Sequence, residues 1–237
     1  MGGGATSLVR HDFPDGAALA GALADAIAAK LEAGLAARGV AVLAVSGGRT
    51  PAGFFAALSA KPLDWGKVIV TLVDERWVPV DHARSNAALV RAGLLQGPAA
   101  AARFVGLVSA APSPEEGLPE IAGRIAALPL PFDVVVLGMG TDGHTASFFP
   151  GGDRLGEALD PAGGMPVVPM RAPGAGEPRI TLTLPLILAA RAVYLHIEGA
   201  DKTAVLAEAL KDGTPGDMPV RAVLRARRSP PEIYWCP

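Results

Sequence analysis

The sequence contains one cysteine, Cys236, next to its C-terminus. A single cysteine excludes an internal disulfide framework and a cysteine-based metal cluster. Charge is also sparse: 19% of the residues are charged, and 21 basic against 23 acidic residues give a net charge of −2. Without a dense tract of lysine and arginine, the chain lacks the electrostatic footprint of a protein that binds nucleic acid or an anionic membrane. We therefore expect neither nucleic acid nor a membrane among its partners.

Long hydrophobic runs are missing too. The most apolar stretch, residues 182–197, is interrupted by Thr183, Pro185, Arg191 and His196. A segment of that length with those breaks does not span a membrane. The N-terminus has no cationic segment followed by an apolar core, so it does not form a secretory signal. These absences lead us to expect a cytoplasmic protein.

Glycine and proline, by contrast, are abundant. They account for 29 and 22 of the 237 residues, or roughly 22% against a usual share of about 12%. Hydrophobic residues make up 50% of the chain, which provides enough apolar surface to offset the entropy lost on ordering it. We therefore predict a folded protein, a single domain over residues 1–237, in which glycine and proline mark turns between short elements.

Short β-branched runs alternate with helical patterns along the chain. Strands are predicted at residues 40–45, 68–73, 134–137, 179–183, 193–197 and 233–235. Helices are predicted at residues 17–38, 53–59, 85–95, 115–128 and 202–211, and loops at 150–166 and 171–178. The alternation predicts a three-layer α/β fold with a mostly parallel, Rossmann-like sheet and helices on both faces. Such sheets bind ligands at the carboxyl ends of their strands, so the segments that directly follow strands are candidate sites.

The first of these segments follows the strand at 40–45 and consists of Ser46, Gly47, Gly48, Arg49 and Thr50. Two glycines permit a tight turn with converging backbone N–H groups, and Thr50 is predicted to cap a helix that begins at Pro51. A helix N-terminus behind small residues favours an anion. The spacing is not that of a Walker A loop, so a nucleoside triphosphate is not indicated. An ordinary strand-to-helix turn remains the alternative.

The second segment is Asp74, Glu75 and Arg76, which directly follow the strand at 68–73. Charges next to a buried strand end are costly unless they are solvated or paired. A salt-bridged surface turn would satisfy them. Their position at the carboxyl end of a strand favours a place in the ligand crevice instead.

The third segment, residues 138–150, reads GMGTDGHTASFFP. Its glycines match the dinucleotide-binding pattern G-x-G-x-x-G, but Pro150 ends the segment within two turns and no acidic residue closes a following strand, so we reject that function. His144 lies among glycines and small hydroxyl residues, two positions after Asp142. This arrangement suits a general base near neutral pH whose tautomer is set by a carboxylate.

Other residues near His144 are given structural roles. Ser147 lacks the G-x-S-x-G surroundings of a serine nucleophile. We predict instead that Thr145 and Ser147 cap or line a short helix. The remaining histidines are predicted to be structural; they are His11, His82 and His196.

Together, the segments resemble the motifs of the 6-phosphogluconolactonase family. The resemblance rests on SGGRTP at 46–51, VDERWVP at 73–79, SNAALVR at 85–91, LGMGTDGHTASFFP at 137–150, RITLTLPLIL at 179–188 and GADKTAVL at 199–206. It covers nearly the whole chain, from about residue 10 to residue 225. Glucosamine-6-phosphate deaminases share SGG-T-P and DGH, but DERWVP and GHTASFFP are similar to the lactonase side.

The resemblance implies a sugar-phosphate isomerase/deaminase-like fold. It also implies hydrolysis of 6-phospho-D-glucono-1,5-lactone to 6-phosphogluconate in the pentose phosphate pathway. The phosphate of this substrate would bind the loop from Ser46 to Thr50, where Arg49 is an additional candidate contact. Arg179 and Lys202 would supply side-chain charge to the same phosphate.

The resemblance assigns the chemistry to the other two segments. His144 would be the general base that activates water, and Asp142 would orient its imidazole. Arg76 would stabilise the carbonyl oxygen as it gains charge, with Asp74 holding Arg76 in place. Hydrolysis of an activated lactone needs neither a metal nor an organic cofactor, so none is expected.

Two alternatives stay open. One is a glucosamine-6-phosphate deaminase-type isomerase, which would release ammonia from glucosamine 6-phosphate. The other is a sugar-phosphate-sensing module on the same fold, which normally carries a DNA-binding helix pair; we expect no such segment here. Under the lactonase hypothesis, the partner is a small-molecule sugar-phosphate lactone, and we expect a monomer or a small homo-oligomer.

Overall fold

The predicted α/β fold with a mostly parallel sheet is confirmed by a computed structural model, which describes residues 8–48, 50–226 and 230–237. Seven parallel strands form a central sheet flanked by helices. A second, smaller sheet consists of three antiparallel strands. Sequence reasoning predicted the first sheet and not the second.

The strands are short; six of the ten described strands lie within one residue of their predicted positions, and the other four were not predicted. They are β1 (Arg10–Asp12), β2 (Ala41–Val45), β3 (Val68–Leu72), β4 (Asp74–Arg76), β5 (Arg103–Val105), β6 (Val134–Leu137), β7 (Val167–Met170), β8 (Arg179–Leu182), β9 (Ala192–Glu198) and β10 (Glu232–Cys236). The helices are α1 (Gly16–Arg38), α2 (Ala52–Ser59), α3 (Asn86–Gly93), α4 (Pro114–Ala126), α5 (Leu155–Leu159), α6 (Leu184–Leu188), α7 (Ala200–Leu210) and α8 (Val220–Leu224). Within the described ranges, no helix has the length and apolarity needed to cross a membrane.

The order of the central sheet determines where a ligand can bind. The strands lie in the order β1-β10-β9-β6-β2-β3-β5. The neighbouring strands β2 and β6 lie at the centre of this order. From β2 the sheet continues through β3 and β5 on one side, and from β6 it continues through β9 and β10 on the other. The loops after β2 and β6 therefore meet at a topological switch point, where open parallel sheets form a ligand crevice.

The core lies on both sides of the central strands. Every residue of β2, β3 and β6 is buried, as expected for strands of a parallel sheet covered on both faces. Helix α1 buries a stripe with four-residue spacing, formed by Leu19, Leu23, Ile27 and Leu31. This packing holds the strand ends, and thus the loops that follow them, in fixed positions.

Two elements in and next to the predicted loops were not predicted. Helix α5 lies within the loop at 150–166, and β7 lies between that loop and the one at 171–178. Strand β7 includes Pro169. Proline favours the prediction of a loop, because it has no backbone N–H to donate to a neighbouring strand. Since β7 is the edge strand of the small sheet, the missing N–H group is tolerated there.

Asp133 connects α1 to the central strands. Its buried carboxylate accepts a hydrogen bond from the Val42 N–H at 2.8 Å and another from the Arg38 guanidinium, while its own N–H donates to the Val42 carbonyl at 2.9 Å. The guanidinium of Arg191 lies 3.8 Å from the same carboxylate. One side chain thus fixes the end of α1 against β2 and the start of β6.

Replacing Asp133 with alanine is expected to lower the free energy of unfolding by about 2–3 kcal/mol, because a buried N–H group and a guanidinium lose a charged acceptor. Urea denaturation measures the change. The matched control is Asp25→Ala, which breaks an exposed pair with Lys61 and should change stability by less than about 1 kcal/mol. Equal effects of the two substitutions would contradict the connecting role of Asp133.

Candidate active site

A cleft opens at the carboxyl edge of the central strands, at the switch point between β2 and β6. Nine of the eleven residues predicted to form the site line it: Ser46, Gly47, Gly48, Thr50, Asp74, Arg76, His144, Arg179 and Lys202. Asp142 lies behind His144, to which it is hydrogen-bonded. Arg49 lies outside the described residues.

The loop after β2 presents backbone groups, because the side chain of Ser46 is engaged elsewhere. Its hydroxyl donates to the Val136 carbonyl at 3.0 Å and accepts from the Gly138 N–H at 3.2 Å. Ser46 therefore joins the loop after β2 to the loop after β6. A ligand would meet the glycines of the loop and the helix that follows them.

The prediction that Thr50 caps α2 is wrong. Pro51 occupies the cap position in an αR conformation, and its carbonyl accepts the first helical hydrogen bond from the Phe55 N–H at 2.8 Å. The helix begins one residue later than predicted because the fixed φ of proline already suits the residue that enters the helix. Among the described side chains none caps this end, so the first N–H groups of α2 are available to an anion at the cleft.

Lys202 also lines the cleft, from the first turn of α7. Its side chain is mostly buried, and its ammonium lies 3.8 Å from the Asp201 carboxylate. Helix α7 begins after Gly199, which adopts φ 100°. The cleft therefore joins a helix N-terminus on α2 to a lysine on α7.

Three residues of β9 also line the cleft and were not predicted as site residues: His196, Ile197 and Glu198. His196 is buried beside Phe54 and pairs through Nε2 with Glu198 Oε1 at 2.8 Å. Burial lowers the pKa of His196, whereas the Glu198 carboxylate opposes that shift. The predicted structural role of His196 fits its burial, but its position also forms part of the cleft wall.

His144 presents one ring nitrogen to the cleft. Its Nδ1 lies 2.5 Å from Asp142 Oδ1, and its backbone N–H donates to the same oxygen at 3.1 Å. The hydrogen bond from His144 holds the pKa of Asp142 at about 2, so this carboxylate is ionised at neutral pH. In the part of the chain that the structure describes, Nε2 has no hydrogen-bond partner, which leaves it free for proton transfer.

The backbone around His144 is a series of turns and not the predicted short helix. Gly140 donates to the His144 carbonyl at 2.8 Å, and a β-carbon on Gly140 would collide with the imidazole. Thr145 donates its hydroxyl to the Gly138 carbonyl at 2.7 Å. The predicted capping role of Thr145 and Ser147 is therefore wrong, because Thr145 closes a turn and Ser147 reaches a different segment of the chain.

That segment contains Asp74, whose predicted pairing with Arg76 is also wrong. Asp74 Oδ2 accepts a hydrogen bond from the buried Ser147 hydroxyl at 2.5 Å and lies 3.7 Å from the Arg179 guanidinium. The antiparallel pairing of β4 with β8 produces this arrangement, since it aligns Asp74 with Thr181 close to Arg179. Arg76 instead donates to the Arg84 carbonyl at 2.6 Å.

Glu75 and Asn86 position this side of the cleft, and sequence reasoning missed both roles. Glu75 is buried and accepts hydrogen bonds at the start of α3 from Ser85 Oγ and from the N–H groups of Asn86 and Ala87. Burial raises the pKa of Glu75, while those N–H groups oppose the shift. Asn86 donates to the Asp74 carbonyl at 2.9 Å and fills the space that a β-carbon on Gly47 would occupy. Asn86 thereby joins β4 to the loop after β2.

The cleft is electrostatically suited to an anion. Arg76, Arg179 and Lys202 all border it. Burial lowers the pKa of Arg179, and Asp74 opposes that shift, but an arginine stays protonated in proteins. The Nε atoms of Arg76 and Arg179 are buried and have no hydrogen-bond partner among the described residues. Each guanidinium therefore has one buried donor that no described residue satisfies.

Comparisons with known proteins agree with this geometry. The profile of the family described as glucosamine-6-phosphate isomerases/6-phosphogluconolactonase matches residues 14–235. The 6-phosphogluconolactonase of Rhizobium meliloti (strain 1021) is 56% identical over 227 residues, which cover 96% of this chain and 98% of that protein. The 6-phosphogluconolactonase of Pseudomonas aeruginosa is 49% identical over 91% of this chain and 89% of its own.

Solved structures give the same result. The crystal structure of a 6-phosphogluconolactonase from Shewanella baltica OS155 aligns with a TM-score of 0.96 and 42% identity, covering 99% of this chain and 100% of that one. A monomeric glucosamine-6-phosphate deaminase aligns with a TM-score of 0.76 and 18% identity, which shows a shared fold. On the profile match, the sequence identities and the structural alignment together, this chain belongs to the glucosamine-6-phosphate isomerase/6-phosphogluconolactonase family.

Proposed function

We propose that this protein hydrolyses 6-phospho-D-glucono-1,5-lactone to 6-phosphogluconate, a reaction of the pentose phosphate pathway. One observation carries the proposal: a single cleft contains an imidazole–carboxylate pair and an uncapped helix N-terminus beside cationic side chains. The first set suits proton transfer and the second suits a phosphate. Similarity to proteins named 6-phosphogluconolactonase supports the same activity.

The phosphate of the lactone binds at the N-terminus of α2, where it meets backbone N–H groups of the loop after β2. Lys202 approaches from α7, and Arg179 contributes charge from β8. Charge-assisted hydrogen bonds of this kind are about twice as strong as neutral ones. Binding at this end places the lactone ring toward His144.

Hydrolysis proceeds by attack of water on the lactone carbonyl carbon. Nε2 of His144 accepts a proton from the water as its oxygen bonds to that carbon, and Arg76 stabilises the negative charge that develops on the carbonyl oxygen. The C–O bond to the ring oxygen then breaks, and His144 returns the proton to that oxygen. Asp142 holds the Nδ1–H of the imidazole throughout, so that Nε2 is the basic nitrogen.

A coupled assay tests the activity directly. Glucose-6-phosphate dehydrogenase generates the lactone in place, and acid release is followed above the rate of spontaneous hydrolysis. The proposal requires acceleration by this protein and no ammonia from glucosamine 6-phosphate. Ammonia release without lactone hydrolysis would assign the deaminase activity. If neither reaction is accelerated, the sugar-phosphate-sensing module is the remaining alternative.

Substituting His144 with alanine should lower kcat by about two to four orders of magnitude, the usual contribution of a general base. The coupled assay measures kcat, and circular dichroism verifies that the variant is folded. The control His11→Ala removes a histidine that pairs with Glu232 at the sheet edge and should leave kcat unchanged. Near-normal turnover by folded His144→Ala would remove His144 from the mechanism.

Asp142→Asn should lower kcat by about two to four orders of magnitude, because an amide no longer specifies which imidazole nitrogen carries the proton, and Nε2 is then not fixed as the basic nitrogen. The same coupled assay measures kcat, and circular dichroism again verifies folding. Asp25→Asn is the matched loss of a distant, exposed carboxylate and should leave kcat unchanged. Normal kcat in folded Asp142→Asn would show that Asp142 does not orient the imidazole.

Lys202→Met should weaken binding of 6-phosphogluconate by about 10- to 100-fold, which corresponds to the roughly 1.5–3 kcal/mol of one charged hydrogen bond. Isothermal calorimetry gives the dissociation constant. Lys67→Met removes an exposed lysine that pairs with Asp64 and should have no effect. If Lys202→Met lowers kcat and leaves binding unchanged, the phosphate role of Lys202 is wrong.

A further inference from the structure

Residues 218–220, at the start of α8, form a segment that covers the turn preceding His144. The Val220 N–H donates to the Gly143 carbonyl at 2.9 Å. Met218 packs on the same residue, since a β-carbon on Gly143 would lie 2.9 Å from Met218 Cε. Gly143 directly precedes His144, so the position of this segment bears on the position of the imidazole.

Arg221 fixes this segment to the end of α7. Its guanidinium is buried, with 4% of the residue exposed. It donates to the carbonyls of Ala209 at 3.2 Å and Glu208 at 3.0 Å, and to the Thr214 carbonyl at 3.3 Å. No carboxylate in the described part of the chain lies within salt-bridge distance of it. The buried cation is therefore stabilised by backbone carbonyls, including two from the last turn of α7, where the helix dipole also favours a positive charge.

Burying the Arg221 guanidinium costs free energy unless its N–H groups find hydrogen-bond acceptors. The acceptors belong to α7 and to the loop after it, whereas Arg221 itself belongs to α8 and directly follows Val220. The guanidinium therefore fixes the distance between α7, which carries Lys202 at its other end, and the residue that binds Gly143.

We propose that Arg221 is a positioning residue for His144, acting through Met218 and Val220 on the Gly143 turn; the catalytic part of this inference rests on the proposed role of His144. Arg221 does not line the cleft and does not touch the substrate. Its effect is geometric, because small displacements of a reacting group lower rates steeply. Loss of Arg221 should therefore reduce turnover more than substrate binding.

The first test compares Arg221→Met with Arg103→Met, a control that removes an exposed arginine from the edge strand β5. Arg221→Met should lower kcat by about 10- to 100-fold, with KM changed by no more than about twofold. Arg221→Lys should recover part of kcat, because lysine keeps the charge and some of the donors. Arg103→Met should leave both constants unchanged.

Hydrogen exchange provides a readout that does not depend on catalysis. In Arg221→Met the amides of Gly140 and Val220 should exchange about tenfold faster or more, while those of β2 remain protected. This result together with an active His144→Ala variant would reject the proposed mechanism and retain the positioning role. Unchanged exchange at Gly140 and Val220 would overturn the positioning role even if His144 is the base.

Met218→Ala decides the matter if Arg221→Met does not fold, since Met218 is only partly buried. It should reduce kcat severalfold with little change in KM, because it removes packing from Gly143. In a double-mutant cycle with Arg221→Lys, the effects of the two substitutions on kcat should be strongly non-additive. Additive effects, or normal kcat in Met218→Ala, would overturn the proposal.

Discussion

The parallel pairing of β2 with β6 is the constraint on which the site depends. The two strands are aligned so that Val45 lies opposite Val136, and the chain winds away from them in opposite directions. Two loops therefore emerge side by side, one ending at a helix N-terminus and the other at His144. The hydroxyl of Ser46, which directly follows β2, fixes their separation by bonding to Val136 and Gly138 at the end of β6. A candidate anion site and a candidate base thus lie in one cleft as a consequence of strand order.

The remaining wall of the cleft is built by buried polar contacts. Asp74 bonds to Ser147 and lies beside Arg179, so the small sheet is connected to the segment that carries His144. Glu75 accepts hydrogen bonds from the start of α3. The Asn86 side chain in that helix donates to the Asp74 carbonyl and packs against Gly47 in the loop after β2. Because each of these groups is buried, each needs its partner to offset the loss of water. Arg179 is therefore held beside Asp74, whose own position depends on Ser147 and Asn86.

Sequence reasoning predicted what local patterns determine. The central strands are continuous apolar runs, and the residues that follow them were recognised as site candidates from their position and chemistry. Contacts between distant segments were not predictable in this way. Asp74 was paired with its neighbour Arg76, whereas its partners Ser147 and Arg179 are brought to it by the pairing of β4 with β8. Likewise, local sequence patterns did not predict that β7 lies at the edge of a sheet, where Pro169 is tolerated.

In the proposed mechanism, one cleft holds the phosphate at the N-terminus of α2 while His144 faces the reacting carbon. A crystal structure with bound 6-phosphogluconate tests this arrangement. We expect the phosphate within hydrogen-bond distance, about 3 Å, of the backbone N–H groups after β2 and of the Lys202 ammonium. We also expect the C1 carboxylate beside His144 Nε2. A phosphate bound elsewhere, or a C1 carboxylate out of reach of His144, would contradict this arrangement.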